Sequence, residues 1–204
     1  MFTGIVTALG KINSIQPLGG DEAGVRLYVE AGTLGLQDVA IGDSICIQGA
    51  CMTAVEMQGN FFAVDVSRES LSKTAGLDQL GEVNLEKSLT LATKLGGHLV
   101  SGHVDGLGQV TRFEEIGESW LLEIEAPRSL AKYFAYKGSV TVNGVSLTVN
   151  RVIDRPASVL FQLNLIPHTV QVTTLRHLRP GQAVNLEVDL IARYVERMLS
   201  TQGT

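Results

Sequence analysis

The chain has 204 residues, 45% of them hydrophobic and 18% charged, with a formal net charge of −5. That balance favours a packed core over disorder, and the acidic excess without any Lys/Arg cluster excludes a surface built to track nucleic-acid phosphates. No apolar run reaches the about 18 residues needed to cross a bilayer, and no basic residue precedes Lys11 as a secretory leader would require, so a cytoplasmic chain without membrane or nucleic-acid partners is expected.

The 22 glycines against 5 prolines, set among short runs rich in Val, Ile and Thr, predict strands joined by tight turns. Residues 3–16 read as a first strand, closed by a turn at Leu18-Gly19-Gly20-Asp21. Residues 25–31 alternate Val25/Leu27/Val29 against Arg26/Tyr28/Glu30, the period of a half-buried strand. Residues 44–48 and 50–56 form a hairpin through Gly49, and 61–66 make the next strand. Ser67 then caps a short helix or turn over 67–70, and 81–86 end the half. Cys46 and Cys51 are the only cysteines and are expected as free thiols.

The sequence then restarts. Gly4, Val6, Leu9 and Gly10 return as Gly102, Val104, Leu107 and Gly108, each 98 residues on. Residues 44–53 align with 139–148, and Val83-Asn84-Leu85-Glu86 is repeated as Val184-Asn185-Leu186-Glu187. A period this long marks a duplicated domain rather than a solenoid unit. Strands are expected at 100–113, 120–126, 139–150, 159–165 and 181–187, with a helix over 128–136 that puts Leu130, Tyr133 and Phe134 on one face. The fold class is therefore all-β: two tandem six-stranded antiparallel barrels plus a C-terminal α-helix, divided as 1–97, 98–188 and 189–204. The last helix carries Leu190, Ile191, Tyr194, Val195, Met198 and Leu199 on one stripe opposite Arg193, Glu196 and Arg197. It finds no partner within either repeat and is expected to pack against other copies of the chain.

His98 and His103, like Cys46 and Cys51, are five apart. On a strand that spacing points the pair to opposite faces, and the two pairs lie too far apart for a compact zinc module, so no metal is expected. Gly106-Leu107-Gly108 lacks the third glycine and the βαβ context of a dinucleotide fingerprint. The duplicated Gly-x-Cys/Ser-x-Thr element is the stronger signal. Cys51/Thr53 and Ser146/Thr148 each form a polar stripe on one strand face, while Met52 and Leu147 point the other way.

Residues 1–6, 96–106 and 143–149 resemble the riboflavin synthase family of two-barrel, lumazine-binding proteins. The resemblance implies Greek-key barrels and dismutation of two 6,7-dimethyl-8-ribityllumazine molecules to riboflavin and 5-amino-6-(D-ribitylamino)uracil. It implies no cofactor, because donor and acceptor are the same compound and their electrons balance. By the same resemblance Gly4, Ile5, Val6, Cys51, Met52, Thr53, Asp65, Val66, Ser67, Arg68, Glu69 and Ser70 bind one substrate. Gly102, His103, Val104, Ser146, Leu147, Thr148, Asn164, Leu165, Ile166, Pro167, His168 and Thr169 bind the other, with Lys137 reaching in from a neighbouring chain. Ser146 or Cys51 orients or activates the nucleophile, His103 carries protons, and Thr53 and Thr148 hydrogen-bond ring or ribityl oxygens. His98 is read equally well as structural.

The chain departs from some family members at Ala54, where Val often follows the Thr, and at His168, where Glu stands elsewhere. The resemblance further implies a homotrimer whose active site lies between the first barrel of one chain and the second barrel of another; association with lumazine synthase stays open. Two other readings are a lumazine carrier without turnover, which predicts decay of one half, and a flavin-dependent reductase barrel, which would need a nicotinamide-binding βαβ half.

Overall fold

The computed structural model describes residues 1–20 and 23–201. Asp21 of the expected first turn and residues 202–204 of the expected C-terminal segment lie outside them. Twelve strands close into two barrels of six. The first contains β1 (Ala8–Pro17), β2 (Val25–Glu30), β3 (Ser44–Ile47), β4 (Ala50–Gln58), β5 (Phe61–Val66) and β6 (Gly81–Lys87). Its order around the barrel is β1-β2-β5-β4-β3-β6, all antiparallel. The second contains β7 (Gly106–Ile116), β8 (Ser119–Pro127), β9 (Ser139–Val142), β10 (Val145–Asp154), β11 (Ser158–Leu165) and β12 (Ala183–Val188) in the matching order. No helix among the described residues is long and apolar enough to cross a membrane.

Each strand follows its hydrophobic alternation. Met52 and Ala54 on β4 turn into the first barrel while Thr53 faces out, and Leu147 and Val149 on β10 do the same around Thr148. The register slips by one residue at Ile12/Ser14 and Ala54/Glu56, and at the equivalent Val110/Arg112 and Val149/Arg151. These matched bulges sharpen the bend that lets so few strands close on themselves.

Three expectations are corrected. The strands expected to begin at residues 3 and 100 begin at Ala8 and Gly106, and the segments before them leave their own barrels, as described below. The expected helix over 128–136 is a single 3₁₀ stretch, Arg128–Tyr133, which ends before Phe134. Short helices α1 (Arg68–Lys73) and α2 (Pro167–Val172) occupy equivalent places in the two halves, α1 capped by the Ser67 side chain accepting from Ser70 N–H.

The C-terminal helix α3 (Leu190–Ser200) does have partners within the chain, contrary to expectation, and they lie on its polar side. Arg193 reaches Asp105 at 2.7 Å, and Lys132 reaches Glu196 at 2.6 Å. The ion pairs seat the charged face against the second barrel and turn Ile191, Tyr194, Val195, Met198 and Leu199 to solvent, each about half exposed or more. The usual arrangement of a surface helix is thus inverted.

The barrels meet at the tips of equivalent hairpins. The turns Gln48-Gly49 and Asn143-Gly144 both hold positive φ at two successive residues, the type I′ geometry that suits two-residue hairpins. Each glycine faces the other: a Cβ on Gly49 would lie 2.7 Å from Gly144 N, and one on Gly144 would lie 2.9 Å from Gly49 N. Around this contact the bonds are reciprocal. Asn84 Nδ2 donates to Asn143 O, and Asn185 Nδ2 donates to Gln48 O, both at 2.8 Å. Asn84 Oδ1 accepts from Thr174 N–H at 2.8 Å, and Asn185 Oδ1 from Ala75 N–H at 2.7 Å. Both asparagines are buried with their polar groups partnered, which makes the seam a specific joint rather than a loose apposition.

Candidate functional site

The outward stripes Cys51/Thr53 and Ser146/Thr148 lie on the outer walls of the barrels, not in their bores, which Met52 and Leu147 help to fill. The N–H groups of Cys51 and Ser146 lie on an edge of their strand that no strand of their own barrel covers, and each finds its acceptor on the segment leading into the other barrel. Cys51 N–H donates to Gly102 O and Ser146 N–H to Gly4 O, both at 2.8 Å. The two leading segments therefore cross over. Val6 packs against the core of the second barrel and Val104 against that of the first. Between them, Phe2 and Val100 exchange backbone hydrogen bonds of 2.8 and 3.1 Å.

This geometry regroups the expected residues. Gly4, Ile5 and Val6 were grouped with Cys51 and Gly102, His103 and Val104 with Ser146, but the structure exchanges them: residues 4–6 run beside Ser146 and residues 102–104 beside Cys51. The reason is local. Pairing of β4 with β5 begins only at Ala54, and of β10 with β11 only at Val149, so the N–H groups of Cys51 and Ser146 are left on an unpaired strand edge that the leading segment of the other half fills.

The first cleft, of about 210 Å³, is lined by Ala50, Cys51 and Met52, by Glu69, Ser70, Lys73 and Thr74 of the α1 region, and by Gly102, His103 and Val104. Of the 65–70 stretch only Glu69 and Ser70 reach it. Asp65 is bound by Arg26 through two hydrogen bonds, Val66 is buried in the core and Ser67 caps α1. In the second half Asn164 accepts from Ser119 Oγ at 2.8 Å, Leu165 is buried, and Thr169 O accepts from Thr173. Ile166, Pro167 and His168 are exposed at the start of α2, as Arg68 is on α1. Lys137 is exposed beside β10, with Nζ 3.0 Å from Asn150 Oδ1.

Sequence reasoning left His98 undecided. It lies at the second wall: its backbone N–H donates to Thr3 O, and its Nδ1 is 2.7 Å from Ser146 Oγ. Its Nε2 is buried without a partner among the described residues, and burial lowers the imidazole below its ordinary pKa of 6.5, with Asp189 acting weakly against that. His98 and His103, five apart on one segment, thus serve different walls, His98 at Ser146 and His103 in the cleft beside Cys51.

Two buried carboxylates were also missed. Glu86 accepts from Thr3 N–H, Thr3 Oγ–H and Gly4 N–H at 2.7, 2.6 and 3.0 Å. Glu187 accepts from Ser101 N–H, Ser101 Oγ–H and Gly102 N–H at 2.7, 2.7 and 2.9 Å. Burial raises both carboxyls above their usual range despite these donors. The signal was present in the repeated Val-Asn-Leu-Glu, where the polar residues of an alternating strand recur as faithfully as the apolar ones.

Twin barrels with equivalent outer walls, each bordered by the segment that leads into the other barrel, define a duplicated two-barrel protein. The family model for the lumazine binding domain matches residues 3–88 and again 101–189. Riboflavin synthases align along the whole chain: that of Photobacterium phosphoreum is 45% identical over 98% of this chain and 89% of its own length. Those of Bacillus subtilis (37%; 98% and 90%) and Mycobacterium tuberculosis H37Rv (39%; 100% and 100%) are similar. The fold matches the crystal structure of LumP complexed with 6,7-dimethyl-8-(1'-D-ribityl) lumazine with a TM-score of 0.78 and 23% identity, covering 92% of this chain and 99% of that one. The chain belongs to the riboflavin synthase family, and each of its halves is a lumazine-binding domain.

Proposed function

We infer that the chain catalyses the dismutation of two 6,7-dimethyl-8-ribityllumazine molecules, one giving a four-carbon unit to the other to yield riboflavin and 5-amino-6-(D-ribitylamino)uracil. The observation that carries this is the preservation of both walls, Cys51/Thr53 and Ser146/Thr148, in a chain alike to riboflavin synthases over its full length. The division into two lumazine-binding halves, 1–97 and 98–188, with a tail at 189–204 belongs to the same reading. Mixing the purified chain with the lumazine tests it: riboflavin absorbance should grow with one pyrimidine released per riboflavin. Bound lumazine that never turns over would instead make the chain a carrier.

The reaction draws on an acidic 7-methyl group, whose carbanion delocalises into the ring, so the protein has to hold two rings in register and move protons. Ser146 is the candidate to orient or activate the nucleophile that adds to the acceptor. With the ring proton on Nε2, His98 Nδ1 accepts from the Ser146 hydroxyl and raises its basicity. Cys51 holds the equivalent place in the first cleft, where His103 is the proton carrier; Thr53 and Thr148 offer hydroxyls to ring or ribityl oxygens.

One chain's two walls do not face each other. Both crossing segments lie between them, Cys51 N–H meeting Gly102 O on one and Ser146 N–H meeting Gly4 O on the other. Stacked rings must approach to about 3.5 Å, which favours pairing the first cleft of one chain with the second cleft of another. The outward apolar face of α3 supplies the association surface for a homotrimer, in which Lys137 serves a neighbouring chain's site.

A further inference from the structure

We propose that Glu86 and Glu187 are crossed positioning residues: each is anchored in one barrel and sets the wall of the ligand cleft on the other. Glu187 sits at the end of β12 in the second barrel, and its carboxylate gathers the Ser101 and Gly102 donors. The same Gly102 presents its carbonyl to Cys51 N–H in the first barrel, 2.8 Å away, and passes directly into His103 and Val104 of the first cleft. Glu86, in the first barrel, holds Thr3 and Gly4 in the same way, and Gly4 O meets Ser146 N–H in the second.

The Phe2–Val100 backbone pair and the packing of Val6 and Val104 tie the crossing segments to the joint as a whole, but beside the two walls their polar ties are few. Gly102 has a φ of +78°, and a Cβ on it would lie 2.7 Å from Cys51 Cβ, so the segment passes too close to the wall for a side chain of its own to anchor it. Beside Cys51 the segment is held by one backbone hydrogen bond on the wall side and three charge-assisted ones on the Glu187 side. Charge-assisted bonds are about twice as strong as neutral ones, so the carboxylate is the strongest polar constraint on where the wall stands. A glutamine of the same size cannot replace it, because one of its two terminal atoms is itself a donor and would face the N–H groups of the segment.

Thiol reactivity reads this out without any ligand, so the result does not depend on the reaction assigned above. Cys51 is partly exposed in the cleft and Cys46 is buried, so 5,5'-dithiobis(2-nitrobenzoate) added to the native full-length chain reports on Cys51. Glu187→Gln should speed its reaction about tenfold, the expected consequence of losing charge-assisted contacts that hold the covering segment, whereas Glu86→Gln should leave it nearly unchanged. With Cys51→Ser and Ser146→Cys combined, the pattern should reverse: Glu86→Gln exposes the new thiol and Glu187→Gln does not. A general loss of stability would move both thiols together in either variant. Equal acceleration by the two substitutions, or acceleration by neither, overturns the proposal. Should a glutamine variant fail to fold, Ser101→Ala and Thr3→Ala each remove one clamp donor and must show the same crossed pattern at smaller amplitude; its absence there overturns the proposal as well.

Discussion

His98 Nδ1 lies 2.7 Å from Ser146 Oγ, joining a residue of the segment between the barrels to a strand of the second barrel. The bond gives Ser146 a basic neighbour, whereas Cys51 shares the lining of its cleft with the more exposed His103. The two walls are alike in backbone and unlike in chemistry.

A hydroxyl used in the chemistry contributes more to the transition state than to substrate binding. Ser146→Ala is therefore expected to lower kcat about tenfold with KM changed much less. Steady-state rates of riboflavin formation measure both, and equal losses in kcat and lumazine affinity would remove Ser146 from the chemical step.

The buried imidazole makes stability depend on pH. In the unfolded chain His98 binds a proton near pH 6.5, while the folded chain binds it only at lower pH. Between those two values the unfolded state holds more protons, so stability rises with pH and falls as the solution is acidified below 6.5. Urea unfolding across that window should show the slope, and His98→Asn should flatten it. An unchanged slope in the variant would assign the dependence to other groups.

Gly49 and Gly144 meet at the barrel seam with positive φ, so a methyl group on either is both strained and obstructed by backbone. Gly49→Ala and Gly144→Ala should each cost about 3 kcal/mol in urea unfolding. Gly59, also at positive φ but with open space around its Cβ position, is the control, and Gly59→Ala should cost only about 1 kcal/mol.

Asn84 and Asn185 tie each barrel to the other's hairpin. Asn84→Ala and Asn185→Ala are each expected to destabilise by about 2 kcal/mol by leaving buried backbone groups unpartnered. Together they should split a single unfolding transition into two. A transition that stays single in the double variant would place the cooperativity elsewhere, in the Gly49/Gly144 contact or the crossed segments.

The exposed face of α3 is tested without disturbing its seat. Ile191→Asp and Met198→Glu lie on the apolar side, away from the Arg193–Asp105 and Lys132–Glu196 pairs. They should convert the proposed trimer to monomers in sedimentation, keep lumazine binding, and lose most riboflavin formation. Full turnover from a demonstrated monomer would place the active site within one chain.

Much of this architecture was legible from the chain. The alternation around Cys51/Thr53 and Ser146/Thr148 put each polar pair on the face opposite Met52 or Leu147, because period two fixes a strand's faces whatever its partners are. The restart at residue 100 separated the halves. What periodicity does not encode is the identity of a pairing partner: nothing local to Gly4 or Gly102 says that its carbonyl meets Ser146 or Cys51, contacts that span more than half a barrel in sequence. The seat of α3 was hidden for a related reason, since the stripe of apolar residues names a sticky face but Arg193 and Glu196 find Asp105 and Lys132 only through the fold. His98 stayed ambiguous because its role depends on Ser146, 48 residues away.

The traded leading segments also change what the connector between the barrels is for. Residues 90–96 are exposed, Leu91 fully and Leu95 about half. Phe2 is wholly buried between the halves, a burial worth about 2–3 kcal/mol. A protease that nicks the connector would cut the covalent bond yet leave each fragment still threaded into the other's wall. The nicked molecule would stay one particle, because the halves are held together by interlocking and the peptide link serves only to keep their stoichiometry at one to one.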